Sequence, residues 1–225
     1  EEDRTVGRPG RGMVLLVDDD EDMLAALRAA LEDEGGEQVE GVEVTDLADL
    51  RAEQVVVAAG AWSGAFTGPG PLKIRPVKGQ ILRLRDSEPP LASRIVRTPR
   101  CYVVPRATGE IVVGATVEER GFDDAVTAGG VHRLLEAAWE ALPDVEERAL
   151  VETAVGFRPG TPDNAPVVGR DADGVIWATG HHRNGVLLAP ITATAVAGWL
   201  AGEKKGSDPF FTFSKHFVPV AGSRA

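Results

Sequence analysis

Two stretches constrain the fold of this chain more than any other feature: Val55-Val56-Val57-Ala58-Ala59-Gly60 and Val175-Ile176-Trp177-Ala178-Thr179-Gly180. Each is an unbroken apolar run closed by glycine. That pattern predicts a strand covered on both faces, as in a parallel sheet flanked by helices. The first run leads into the turn Ala61-Trp62-Ser63-Gly64. The second leads into a glycine-rich turn at residues 180–185 and then an apolar helix over residues 187–200. Pro166-Val167-Val168-Gly169 reads as another buried strand. Near the start, Val14-Leu15-Leu16-Val17 is a short apolar run stopped by Asp18, Asp19 and Asp20. Beyond it, Met23, Leu24, Leu27 and Leu31 recur at helical spacing, with Asp20 or Asp22 as cap and Gly35-Gly36 as terminator. Val42 and Val44 alternate with polar residues, as a strand would.

The middle of the chain follows a different rule. Residues 77–84, 94–96, 101–104, 110–115 and 151–157 are short strand candidates separated by Pro, Gly and Asp-Ser clusters, which predicts an antiparallel sheet. Residues 131–142 form a helix with Leu134, Leu135, Ala138 and Leu142 on one face and Pro143 just past its end. The order is therefore α/β, then antiparallel β with a helix, then α/β again, as if one domain were interrupted by another.

Charge narrows the function. The net charge is −11, and residues 1–53 hold 17 acidic against 5 basic residues, so that segment alone carries −12. The rest is close to neutral. No basic surface of the kind nucleic acid requires is encoded. The single cysteine, Cys101, excludes an internal disulfide and predicts a reducing cytoplasm. The start, Glu1-Glu2-Asp3-Arg4, does not resemble a signal peptide. The longest apolar stretch, residues 186–200, is broken by Pro190, Thr192 and Thr194; it is too short for a membrane span and suits a buried helix.

Three stretches carry chemistry. In Gly180-His181-His182-Arg183-Asn184-Gly185 a strand ends and a helix begins; backbone N–H groups at such a start attract electron-rich groups, and glycine lets a flat ligand come close. In Gly156-Phe157-Arg158-Pro159-Gly160 an arginine is held between glycine and proline, its planar fork matched to a carboxylate. Tyr102 is the only tyrosine, and in an alternating strand its neighbours Cys101 and Val103 face the other side. His181 and His182 are adjacent and do not fit the spacing of a helical zinc site, and no metal is expected.

Together, VVVAAGAWSG (55–64), PVKGQ (76–80), CYVVPR (101–106), VVGAT (112–116), GFRPGT (156–161), PVVGR (166–170) and GHHRNGVLLAP (180–190) resemble the glycine oxidase branch of the D-amino-acid-oxidase-like FAD-dependent oxidoreductases. The resemblance covers residues 12–201. It implies an α/β FAD-binding domain, incomplete here, interrupted by an α+β substrate domain with an antiparallel sheet. The corresponding division is 1–65 and 158–202 for the FAD domain, 66–157 for the substrate domain and 203–225 for a tail. Arg158 matches the arginine that pairs with a substrate carboxylate, Tyr102 a tyrosine that also contacts it, and Arg183 a second substrate-side arginine. His181, His182, Arg183, Asn184, Gly185, Val186 and Leu187 match the stretch whose backbone lies along the flavin. Val44 matches a residue beside the adenine. Val117 stands where such enzymes have methionine.

The implied reaction is oxidation of glycine or another small amine by FAD and dioxygen to an imine and hydrogen peroxide, feeding thiazole formation for thiamine. No protein base is required, since the flavin does the hard chemistry. The strand, Gly-x-Gly-x-x-Gly turn and ribose-binding acid that open such proteins do not occur in the sequence, and Gly7, Gly10 and Gly12 follow no strand. Weak or no FAD binding by this chain alone is the resulting expectation. A homo-oligomer or a separate chain carrying an N-terminal half are the partners it implies. Two other readings compete: a non-catalytic flavoprotein fragment that folds with a partner, and a receiver-like signalling module built on residues 14–35.

Overall fold

A computed structural model of the chain describes residues 14–17, 54–66, 73–171 and 174–200. Val44 and the sequence-predicted helix over residues 22–35 lie outside the described residues, as does the tail from 203. Two compact units emerge, one formed by residues 1–74 with 159–225 and one by residues 75–158.

In the first unit, β1 (Val14–Val17), β2 (Gln54–Val57), β8 (Val167–Arg170) and β9 (Ile176–Thr179) form a four-stranded sheet in the order β1-β2-β9-β8. The two glycine-closed runs are direct neighbours: β2 and β9 pair in parallel, Val56 against Ile176 and Val57 against Trp177. β1 extends the parallel set on the other side of β2. β8 runs antiparallel to β9, so the sheet is mixed rather than wholly parallel. The reason is local: only four residues separate Arg170 from Val175, too few for a crossover, so the chain must turn straight back. Gly174 at φ 88° and Asp171, whose carboxylate accepts from the Val175 N–H and Trp177 Nε1, close that hairpin.

Helix α2 (Gly185–Leu200) follows β9. Ala193 and Val196 pack with Val56, Ala58, Ile176 and Ala178. The expectation of a buried helix needs correction here. Val186, Leu187 and Ile191 are exposed, and with Pro190 and Thr194 they form one stripe at helical spacing. An all-apolar sequence conceals the boundary between covered and open faces.

In the second unit, β3 (Arg75–Arg85), β4 (Val96–Arg97), β5 (Tyr102–Pro105), β6 (Glu110–Gly114) and β7 (Ala149–Gly160) build a five-stranded sheet ordered β4-β5-β6-β3-β7. The antiparallel pairings of β3 with β6, β5 with β6 and β4 with β5 match the expectation from sequence. Helix α1 (Ala128–Ala141) covers one face, packing Leu134, Ala137 and Ala138 onto Leu82, Leu84, Val103, Ile111 and Val113. Each fully buried aliphatic side chain there contributes about 1.5–3 kcal/mol relative to exposure. The helix starts three residues earlier than its apolar pattern predicts, because Thr127 caps it by accepting the Gly130 N–H.

Candidate active site

The face of the five-stranded sheet opposite α1 carries Tyr102 and Arg158. Cys101 and Val103 point into the core, 5% and 1% exposed, so alternation sends Tyr102 to the other side. Tyr102 pairs across the ladder with Gly114, which in turn pairs with Ile81. These directly opposed residues share a face, and Gly79 joins them two residues along β3. The Tyr102 ring lies on Gly114, and the Arg158 guanidinium lies on Gly79. In both places a side chain on the glycine would occupy the space the aromatic or guanidinium group now fills. Arg158 Nη1 also donates to the Thr116 carbonyl at 3.1 Å, two residues beyond Gly114. Segment 114–116 thus gathers both predicted carboxylate-binding residues. Neither this meeting nor the roles of Gly79, Gly114 and Thr116 are legible in sequence alone; the glycine inside PVKGQ was the available signal, since a glycine in a strand marks a close approach.

On the opposite face of β3 sit two fully buried polar residues. Lys78 Nζ is paired with Asp123 at 3.0 Å and donates to the Ala125 carbonyl. The Gln80 amide donates to Glu118 and Thr127 and accepts from the Thr127 N–H. Burial works to raise the Glu118 carboxyl, but hydrogen bonds from Thr116 and Gln80 with the nearby Lys78 and Arg133 charges outweigh it, and the carboxyl stays below its usual range.

The second candidate locus is the turn after β9. Gly180 has φ 75°, and a Cβ there would meet Thr161 Cγ2 at 2.7 Å, so both backbone shape and space require glycine. The His182 N–H donates to the Pro159 carbonyl. A buried relay secures the strand end: Ser63 Oγ donates to Thr179 Oγ1 at 2.8 Å, and Thr179 donates to the Gly60 carbonyl. His181 is turned inward, 3% exposed, with Nε2 2.9 Å from Thr192 Oγ1. Burial pushes its imidazole down to about 4, so it is neutral at pH 7. Arg183 and Asn184 are exposed. The Asn184 carbonyl accepts from the Leu188 N–H, so α2 begins here and the N–H groups of Gly185, Val186 and Leu187 belong to its first turn, where no intrahelical acceptor exists. A Cβ on Gly185 would meet nothing within 4 Å, and Val186 and Leu187 are 79% and 77% exposed. Backbone donors beside an open apolar ledge fit a flat heteroaromatic ring whose edge carries acceptors.

Among the described residues no group of three or more His, Cys, Asp or Glu side chains is arranged to hold a metal ion. No described helix is long and apolar enough to cross a membrane.

A sheet with glycine-turned strand ends, together with a second sheet bearing an arginine and a tyrosine, is matched over residues 14–199 by the DAO family, FAD dependent oxidoreductase. The chain belongs to that family. The match takes in Val14–Val17, the segment that also invited a receiver reading, and it sets that reading aside. Glycine oxidase from Geobacillus kaustophilus is 34% identical over an alignment of 231 residues, which covers 94% of this chain and 60% of that protein. The bifunctional protein ThiO/ThiG of Nostoc sp. is 41% identical over 179 residues, covering 78% of this chain and 26% of that protein. The crystal structure of the Geobacillus kaustophilus glycine oxidase superimposes with a TM-score of 0.65 at 35% identity, over 74% of this chain and 46% of that one. The chain therefore spans less than two thirds of the length of these relatives.

Proposed function

We propose that this chain supplies the substrate-binding sheet and part of the flavin-binding unit of an oxidase for glycine or a similarly small amino acid. The observation that carries the reading is the placement of Tyr102 and Arg158 on one sheet face, each seated on a glycine. Arg158 binds the substrate carboxylate through its planar fork, and the Tyr102 hydroxyl donates to the same group. Arg183 is the second substrate-side arginine. The backbone from His181 to Leu187 holds the flavin, with Gly185 giving it room and Val186 and Leu187 covering its apolar surface; Val44 is assigned to the adenine side. The unit of residues 75–158 is the substrate domain and the other unit the FAD domain.

When bound, FAD supplies the electron sink for removing two electrons and two protons from the amine, and dioxygen takes them up as hydrogen peroxide. The side chains do the positioning: Arg158 and Tyr102 fix the carboxylate end so that the amine end is presented in one orientation. The neutral His181, locked to Thr192, holds the turn and exchanges no proton with substrate. The ThiO/ThiG relative supports delivery of the imine product to thiazole formation for thiamine.

The test is an absorption spectrum of the purified chain at an FAD concentration high enough to offset weak binding, taken before and after anaerobic glycine. Flavin bands that bleach with glycine, and that no longer bleach in Arg158→Ala although flavin remains bound, are the expected result. Bound flavin that neither glycine nor other small amino acids reduce would overturn the reading.

A further inference from the structure

The register of the five-stranded sheet changes beside Arg158. Ile81 pairs with Gly114, and three residues earlier on β3 Lys78 pairs with Glu118. Between these pairs β3 has two residues, Gly79 and Gln80, whereas the opposing segment has three, Ala115, Thr116 and Val117. One extra residue on one side is a β-bulge, a device that re-aims backbone groups. Its hydrogen bonding is specific. The Thr116 N–H donates to the Gln80 carbonyl as a ladder residue would. The return bond differs: the Gln80 N–H donates to Thr116 Oγ1, at 2.8 Å, rather than to the Thr116 carbonyl. That carbonyl instead accepts from Arg158 Nη1. The Gln80 side chain in turn donates to Glu118 on the opposing segment. Lys78 and Asp123 fasten the segment further along.

We propose that Thr116 is the positioning residue for Arg158: its hydroxyl replaces its own carbonyl in the ladder, and the carbonyl so released fixes the guanidinium over Gly79. The inference rests on the reading of Arg158 as the carboxylate-binding residue. A regular strand at this point would spend the Thr116 carbonyl on the Gln80 N–H and remove one of the acceptors that hold the long arginine side chain, and freedom that binding must then immobilise costs affinity. Valine in place of Thr116 has the same shape but no oxygen. The Gln80 N–H is then stranded in a buried site, and the backbone must turn the carbonyl back to satisfy it. Serine keeps the oxygen and the arrangement.

The experiment compares Thr116→Val, Thr116→Ser and Arg158→Ala with the unaltered FAD-loaded protein. Acetate, a carboxylate without an amine, is titrated against the flavin spectrum and independently by calorimetry, and glycine turnover is followed for the split between KM and kcat. Thr116→Val is expected to weaken acetate binding and raise KM about tenfold while kcat falls less than about threefold. Thr116→Ser is expected to stay within about twofold of the unaltered protein on both. Where Thr116→Val does not fold, Thr116→Ala, which lacks the oxygen without adding bulk, takes its place with the same expected shifts. Acetate affinity in Thr116→Val equal to the unaltered protein, or an equal loss in Thr116→Ser, overturns the proposal. Arg158→Ala separates the two levels: acetate binding that survives it sinks the carboxylate reading itself, whereas its loss there with no change in Thr116→Val sinks only the role of Thr116.

Discussion

Arg158 rests on Gly79 so closely that a Cβ at position 79 would stand 2.5 Å from Nη1 and 2.6 Å from Nη2. The atoms in the way are the far end of a flexible side chain, so Gly79→Ala is expected to leave the fold intact and move the guanidinium instead. The consequence falls on recognition. The melting temperature should change little, while, on the proposed reading of Arg158 as the carboxylate-binding residue, KM for the amino acid rises roughly tenfold as the guanidinium is displaced. Thermal melts and steady-state kinetics on one preparation decide it, and a large drop in melting temperature with KM unchanged would contradict the argument.

The Lys78–Asp123 pair gives a prediction about stability. The lysine side chain is completely buried while Asp123 is 37% exposed. Removing the carboxylate leaves an ammonium in the protein interior facing the Ala125 carbonyl without a countercharge from Asp123, whereas replacing the lysine by methionine removes the charge and keeps the volume. Breaking one side of a buried pair costs more than exchanging the charge for an apolar group. Asp123→Ala is therefore expected to lose more stability than Lys78→Met. Urea unfolding of both variants measures the order, and the reverse order would show that Lys78 is held mainly by its aliphatic packing.

A similar asymmetry governs the Ser63–Thr179–Gly60 relay. Ser63→Ala removes one donor and leaves Thr179 still donating to Gly60, for a loss of about 1 kcal/mol. Thr179→Val strands the buried Ser63 hydroxyl and takes a donor from the half-buried Gly60 carbonyl, for a loss of about 2–3 kcal/mol. Denaturant midpoints for the pair check the ratio.

Much of the architecture was legible because it follows from period and punctuation. The strands read at 77–84, 101–104 and 110–115 appear as Arg75–Arg85, Tyr102–Pro105 and Glu110–Gly114, and the inward placement of Cys101 and Val103 fixed the outward one of Tyr102. Where the fold departs from the pattern, a polar contact overrides it. The strand expected at 94–96 shrinks to Val96–Arg97 because Thr98 binds Cys101 and closes a turn. Helix α1 begins at Ala128 despite Gly129 and Gly130, poor helix formers that hid its first turn, because Thr127 caps it. Lys78 and Gln80 are residue types that favour the surface, yet both are fully buried, since each finds its partners on a segment some forty residues away. The bulge at Thr116 is a property of register between two strands, and no single stretch of sequence encodes it. The roles of Tyr102, Arg158 and the 180–187 turn came from resemblance to a family; what geometry adds is that Tyr102 and Arg158 share a sheet face.

His181 makes pH a probe of the turn. Its imidazole titrates near pH 6.5 in an unfolded chain, and burial lowers it to about 4 in the folded one. Between these values the unfolded chain binds a proton that the folded chain refuses, so stability rises with pH across this range. The contribution is complete above pH 6.5, diminishes as pH falls, and is exhausted near pH 4. At pH 5 the loss comes to about 2 kcal/mol relative to pH 7.5, since each tenfold difference in proton affinity between the two states is worth about 1.36 kcal/mol. The carboxyl groups of Glu118, Asp123 and Glu136 are held below their usual range, so their own losses begin at lower pH and leave the interval from 5 to 6.5 to histidine. Unfolding free energies from urea titrations at pH 5.0 and 7.5 should differ by that amount in the unaltered protein and by much less in His181→Gln, which keeps a hydrogen-bonding partner for Thr192 without titrating. Equal pH dependence in the two proteins would mean that the buried imidazole is not the group that senses acid.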